Sequence, residues 1–313
     1  DFVLLCSSSL LFFLSMFVLL PALPPYIVQE LGGTEAHVGL IMGAFAGASI
    51  LSRPSSGRLV EVRSRKSGLV LGALIYGIAP LFYTFATTVP VMLALRFCHG
   101  AGIAFFTTAS SVLVADLAPP SRRGEAMGYF GMMMNFAMAI GPYLGGSVVA
   151  EAGFSSLFFV SSGLGFMSLL LLPFLREPLR PAQDASSSVG APLFSKEAVL
   201  PGCVAACMSM TLGSLIAFLP LFVLERALGN PGLYFIVFSA VVIVTRPIAG
   251  KWSDRYGRSV VIVPGMLFLA LAMIVLSQAH TISWLVCAAV IQGIGFGGVQ
   301  PALLALGADR ATD

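Results

Sequence analysis

The residues best equipped for chemistry lie in two charge-dense stretches. Arg58, Arg63, Arg65 and Lys66 place four cations around the carboxylate of Glu61, between long apolar runs. Lys251, Arg255 and Arg258 surround Asp254 in the same way. A carboxylate among cations suits an ion-pair latch, closed in one arrangement of the flanking elements and broken in another. Further along, Arg96 and His99 sit three residues apart inside an apolar run. Nothing in the sequence resembles a hydrolytic or ATP-driven site. His37, His99 and His280 are scattered, and no His-Glu-x-x-His, Gly-x-Ser-x-Gly or phosphate-cradling Gly-x-x-x-x-Gly-Lys run occurs. No enzyme activity, metal or cofactor is expected. Cys6, Cys98, Cys203, Cys207 and Cys287 all fall in apolar segments and read as packing residues.

The elements that carry these residues are membrane helices. The chain of 313 residues is 58% hydrophobic and only 10% charged, and its mean hydropathy is +0.95. Soluble domains are about a quarter charged. A spanning helix needs about 20 mainly apolar residues. Ten segments qualify, at residues 2–27, 37–59, 68–86, 89–115, 124–150, 155–175, 198–224, 233–252, 259–277 and 281–307. Thirteen basic residues fall in alternate loops, while the opposite loops hold only Arg226. The positive-inside rule therefore places the basic loops and the N-terminus in the cytoplasm of a cell membrane, bacterial or equivalent. The net charge of +3 follows from this topology and is no sign of a nucleic-acid partner.

The two charged stretches belong to a repeat. An offset of 193 residues relates Arg53-Pro54 to Arg246-Pro247, Gly57 to Gly250, Gly100 and Gly102 to Gly293 and Gly295, and Asp116 to Asp309. One constant offset over more than sixty residues indicates two homologous halves, a plan that recurs in secondary transporters. The expected organisation is a six-helix bundle at residues 1–177 and a Pro- and Ser-rich cytoplasmic linker at 178–196. Residues 197–313 would supply four helices of a second six-helix bundle. The repeat predicts two further spans beyond Asp313.

Three features mark individual spans. Pro21, Pro24 and Pro25 are expected to kink or end the first helix. Gly39, Gly43 and Gly47 put small residues on one face of the second, where helix backbones approach closely in lipid. Pro54 and Gly57 are expected to loosen its cytoplasmic end. Arg96 is a charge well inside a span, which is costly and faces a cavity or a partner.

These motifs resemble the major facilitator superfamily. Gly57, Leu59, Arg65 and Lys66 match the family's signature after the second span, with Glu61 for its aspartate and Ser64 for its second glycine. Gly250, Asp254, Gly257 and Arg258 match the copy after the eighth. Arg96, Gly100 and Gly102 match the fourth-span signature. Gly141, Pro142, Gly145 and Gly146 match the fifth-span signature, with Ala137 in place of its earlier glycine. The resemblance implies an all-α polytopic fold of two pseudo-symmetric six-helix bundles, expected as a monomer in the bilayer. The fifth-span run resembles that of proton-driven antiporters which export drugs and other small molecules. The implied mechanism is alternating access, with spans one, four, seven and ten lining a cavity that His99, Thr107, Thr211, Gln292 and Gln300 reach. Arg53, Arg65, Arg246 and their neighbours would gate the cytoplasmic side. Arg96 and Asp116 would serve proton coupling. Sparse polar content favours a hydrophobic or amphipathic substrate. An uptake symporter or uniporter of the same fold is the alternative, because no Asp or Glu lies deep in any of the ten spans.

Overall fold

The computed structural model describes residues 1–119, 122–177 and 199–311, which are helical almost throughout. In chain order the helices are α1 (Phe2–Leu19), α2 (Leu23–Gln29), α3 (Glu35–Val62), α4 (Arg65–Tyr83), α5 (Val89–Leu117) and α6 (Arg123–Leu171). They continue with α7 (Val199–Glu225), α8 (Gly232–Tyr256), α9 (Arg258–Ser277) and α10 (Ile282–Ala311). Among the described residues, nine helical stretches are long and apolar enough to cross a membrane. Many large apolar side chains face outward, among them Ile50, Leu51, Leu170, Leu267 and Ile274. Water would make such a surface an aggregation hazard; hydrocarbon makes it the ordinary solvent-facing surface.

Ten expected spans reconcile with nine stretches at one place. The stretch Arg123–Phe174 is 52 residues long and holds the fifth and sixth spans together. Gly153 interrupts it with φ 79° and ψ 176°, a conformation open to glycine and costly for other residues. The limbs 123–152 and 154–171 fold back on each other, because both reach the same level of α1. Gly141 and Gly145 of the first limb meet Phe17 and Val18, while Ser161 of the second meets Ser15.

Prolines act differently at the two places expected. α1 stops at Leu19 and α2 begins at Leu23, with Pro21 in the break. Pro54, by contrast, does not loosen α3, which runs unbroken to Val62. The hydroxyls of Ser55 and Ser56 donate to the carbonyls of Ser52 and Arg53 at 2.9 and 2.8 Å.

The chain divides into two compact units, Asp1–Ala185 and Ser186–Asp313. The linker expected at residues 178–196 lies outside the described residues. In the first unit, the ring of Phe12 stacks on Phe106 at 3.8 Å and lies 4.0 Å from Tyr76, and all three are fully buried. Lipid provides no hydrophobic drive between helices, so close packing and interhelical hydrogen bonds must hold them. Two serine pairs seven residues apart do this between α1 and the second limb of α6. Ser15 and Ser161 each donate to the other's carbonyl at 2.8 Å. Ser8 and Ser168 do the same at 3.0 and 2.8 Å. Replacing both Ser15 and Ser161 by alanine is expected to destabilise the fold by about 0.6–1.7 kcal/mol, read as an earlier midpoint in denaturant titration of the detergent-solubilised protein.

The repeat is visible in the packing. A methyl group added to Gly100 on α5 would meet the carbonyl oxygen of Phe45 on α3 at 2.2 Å, and one on Gly293 would meet that of Phe238 at 2.9 Å. A methyl on Gly72 would approach the Gly102 carbonyl at 2.8 Å, and one on Gly265 that of Gly295 at 3.2 Å. Each second-unit residue lies 193 positions after its first-unit counterpart. The trio α3–α4–α5 is therefore built on the same close glycine contacts as α8–α9–α10.

Candidate gating and coupling residues

The turn between α3 and α4 is held by acids from other elements. Ser64 caps α4, its hydroxyl accepting from the Ser67 amide at 3.0 Å. The guanidinium of Arg65 lies 2.8 Å from Asp116, at the C-terminal end of α5, and 3.9 Å from Glu177. Glu177 also accepts from the Arg65 and Lys66 amides at 2.8 and 3.4 Å, so a carboxylate sits at the positive end of the α4 dipole. The Lys66 ammonium donates to the carbonyls of Pro173 and Leu175 at 2.9 and 3.0 Å. One turn thus ties α4 to the ends of α5 and α6. The turn expected to latch through Glu61 also joins Arg65 to Asp116 and Glu177, because the following helices bring those acids to it. Glu177 was not singled out from sequence; an acid within a loop otherwise rich in cations was its available signal.

The second copy closes differently. Arg258 donates to Asp254 four residues earlier, and to Ser253 at 3.2 Å. Gly257 adopts φ 95° between α8 and α9, where only glycine is at ease; Ser64, its counterpart, has φ −166°. The same turn is made once by a serine cap and once by a left-handed glycine. Gly57 and Gly250 meet nothing within 4 Å, and Arg53 is exposed. Arg246 donates to Gln300, linking two expected site residues. The Gln292 amide donates to the Thr211 hydroxyl at 3.4 Å, while its carbonyl oxygen is buried without a hydrogen-bond partner. Thr107 donates back to Ile103 in its own helix.

Arg96 and His99 lie in the packed interior of the first unit. Arg96 is 2% exposed. Its guanidinium sits 4.1 Å over the Phe45 ring and donates to the Met42 sulfur at 3.6 Å; its Nε has no hydrogen-bond partner. His99 is fully buried. Its Nδ1 is 2.6 Å from the Tyr83 hydroxyl, its ring centroid 4.1 Å from that of Tyr76, and its Nε2 has no hydrogen-bond partner. Tyr83, Phe45 and Met42 were not singled out from sequence, because nothing local marks which aromatic or thioether faces a buried cation.

Gly141 and Gly145 form the seam between the first limb of α6 and α1. A methyl on Gly145 would lie 2.0 Å from the Val18 carbonyl oxygen, and one on Gly141 2.6 Å from the Phe17 Cβ. Pro142, buried beside them, removes a helix hydrogen bond at the same level. Gly146 is half-buried. Among the described residues no cluster of His, Cys, Asp or Glu is arranged to hold a metal.

Comparison with known proteins gives a consistent answer. The family model of the Major Facilitator Superfamily matches residues 5–313. An uncharacterised transporter of that type from Methanocaldococcus jannaschii is 33% identical over 143 residues, 46% of this chain and 37% of the relative. Multidrug resistance protein 2 of Bacillus subtilis is 29% identical over 175 residues, 56% of this chain and 43% of the relative. The quinolone resistance protein NorA of Staphylococcus aureus is 24% identical over 161 residues, 51% of this chain and 41% of the relative. The aligned part of the chain thus spans about two fifths of each relative's length. In fold, the chain is similar to an inward-facing bacterial homologue of the human lysosomal transporter Spinster. The TM-score is 0.78 at 16% identity, covering 99% of this chain and 78% of that one.

Proposed function

The chain belongs to the Major Facilitator Superfamily, and on that premise we propose that the whole protein exports a small hydrophobic or amphipathic molecule in exchange for protons. It does so by alternating access, as a monomer in the cytoplasmic membrane, with its N-terminus inside. The observation that carries this reading is the Gly141-Pro142-x-x-Gly145-Gly146 run seated directly on the α1 backbone. A seam this close ties two spans into one moving body. The names of the Bacillus and Staphylococcus relatives support export of drug-like compounds. The residue roles follow. Arg65 and Asp116 latch the cytoplasmic side in one state, with Arg53, Gly57, Glu61 and Lys66 in the same turn. Arg246, Gly250, Asp254, Gly257 and Arg258 do so in the other half. Arg96 and His99 carry the coupling, with Gly100 and Gly102 holding α5 close to its neighbours. Thr107, Thr211, Gln292 and Gln300 supply polar contacts for the substrate.

One observation favours a second reading, a uniporter of the same fold: no carboxylate lies deep in any span of this sequence. Reconstituting the full-length protein with a pH-sensitive dye inside the liposomes separates the two. Under an imposed proton gradient, ethidium and a panel of neutral antibiotics are expected to move opposite to protons. Movement in the same direction makes the protein a symporter; movement of labelled compounds without protons makes it a uniporter. His99→Gln keeps a side chain able to bond Tyr83 and matches Gln292 of the repeat. It is expected to leave the protein folded while lowering proton-linked transport at least tenfold. Unchanged coupling in that variant would remove His99 from the mechanism.

A further inference from the structure

In the second unit, α8, α9 and α10 line a partly open cavity of about 470 Å³. Its wall is apolar, formed by Ile248, Trp252, Pro264, Phe268 and Gly298 with Thr245 as its hydroxyl-bearing member. Trp252 is 58% exposed, an unusual cost for so large a ring unless it meets the membrane interface, where indole is favoured. The face of α8 that lines the cavity continues past Trp252 to Arg255 and Tyr256, three and four residues on. Arg255 extends over the Tyr256 ring at 5.3 Å. Lys251 follows Ile248 by three residues and is exposed. The nearby acid, Asp254, is engaged by Arg258. The end of α8 that flanks the cavity's Trp252 and borders the basic loops therefore carries two exposed cations.

The internal repeat supplies a control. At the positions of Trp252, Arg255 and Gly298 the first unit has Leu59, Val62 and Phe105. Lys251 has a cationic counterpart in Arg58, so the interfacial ring, the second cation Arg255 and the missing side chain at Gly298 are what occur together in the second half alone. The counterparts of the α9 wall, Leu71 and Ile75, remain part-exposed in the first unit even though α6 packs against α4 there. In the first unit the second limb of α6 therefore covers a different face of α4.

We propose that this cavity is a binding site for one anionic phospholipid, with an acyl chain along Phe268, Pro264 and Gly298 and the phosphate held by Arg255 and Lys251. The volume lies in the range of small-molecule sites. Arginine and lysine are the side chains suited to a phosphate, and two cations near an anionic headgroup supply up to about thirtyfold in affinity.

The test uses the full-length protein in a background whose only tryptophan is Trp252, reconstituted in phosphatidylcholine vesicles. Phosphatidylglycerol with brominated chains is expected to quench Trp252 at a mole fraction about tenfold lower than brominated phosphatidylcholine. Lys251→Gln with Arg255→Gln is expected to remove that preference, and Gly298→Phe to weaken quenching by both lipids. Equal quenching by the two lipids would overturn the proposal in favour of ordinary boundary lipid. No quenching by either would mean that protein covers the cavity and would overturn it as well. A preference that survives loss of both cations would refute the assigned phosphate site, and because those residues are exposed, misfolding would not explain it.

Discussion

Gly145→Ala is expected to cost most of the folded, transport-competent protein, although it adds a single methyl group. That methyl would lie 2.0 Å from the Val18 carbonyl oxygen, 2.8 Å from its carbonyl carbon and 3.1 Å from its Cα. All three atoms are backbone, so no side chain can rotate away. Ordinary contact would require α1 and the first limb of α6 to separate by more than about 1 Å, which opens the neighbouring Gly141–Phe17 contact too. Overpacking of this kind costs about 1–3 kcal/mol, occasionally more, and each 1.4 kcal/mol is a factor of ten in a folding or conformational equilibrium. Gly163→Ala on the second limb is the control. It is exposed and meets nothing within 4 Å, and alanine there gains helix propensity of about 1 kcal/mol. Thermal unfolding in detergent and transport in liposomes should separate the two variants by at least a tenfold loss in activity and a clear fall in midpoint for Gly145→Ala alone. Equal behaviour would mean that the seam is not a close contact in the working protein.

Much of this fold was legible because its signals are periodic or repeated. Long apolar runs gave the spans, and the constant offset that relates Arg53 to Arg246 gave the two homologous halves, which share the glycine contacts of α3–α4–α5 and α8–α9–α10. Signals that depend on which side chain meets which were not legible. Arg65 finds Asp116, fifty-one residues away, because α4 and α5 run side by side. Glu177 caps α4 from the far end of the unit, a pairing no local pattern announces. The fifth and sixth spans read as two helices, 124–150 and 155–175, with Glu151 and Gly153 falling between them. In the structure they join through a single glycine at positive φ. Pro54 was read from its intrinsic effect on a helix, whereas α3 continues through it to Val62.

The charge pair Arg65–Asp116 should show its role by exchange. Arg65→Gln and Asp116→Asn are each expected to lower transport about tenfold, and the exchanged pair Arg65→Asp with Asp116→Arg to recover a substantial part of the loss. The reasoning turns on burial. Exposed pairs contribute about 0–1 kcal/mol, whereas breaking a buried one costs about 3–5 kcal/mol. Here the side chains are 13% and 32% exposed at 2.8 Å, between those limits, so a coupling of about 1–3 kcal/mol is expected from the double-mutant cycle. An interaction that stabilises one state of a moving helix assembly shifts its populations by that amount when removed, which is why the loss appears in transport more than in expression. Arg65 also lies 3.9 Å from Glu177, so recovery stays incomplete: an aspartate placed at position 65 would face that acid at like charge. Adding Glu177→Gln to the exchanged pair should therefore raise activity further, while the same change in the wild-type background should lower it by weakening the α4 cap. Single variants as active as wild type would show the pair to be a passive surface contact. An exchanged pair no better than the worse single variant would show that Asp116 acts through something other than Arg65.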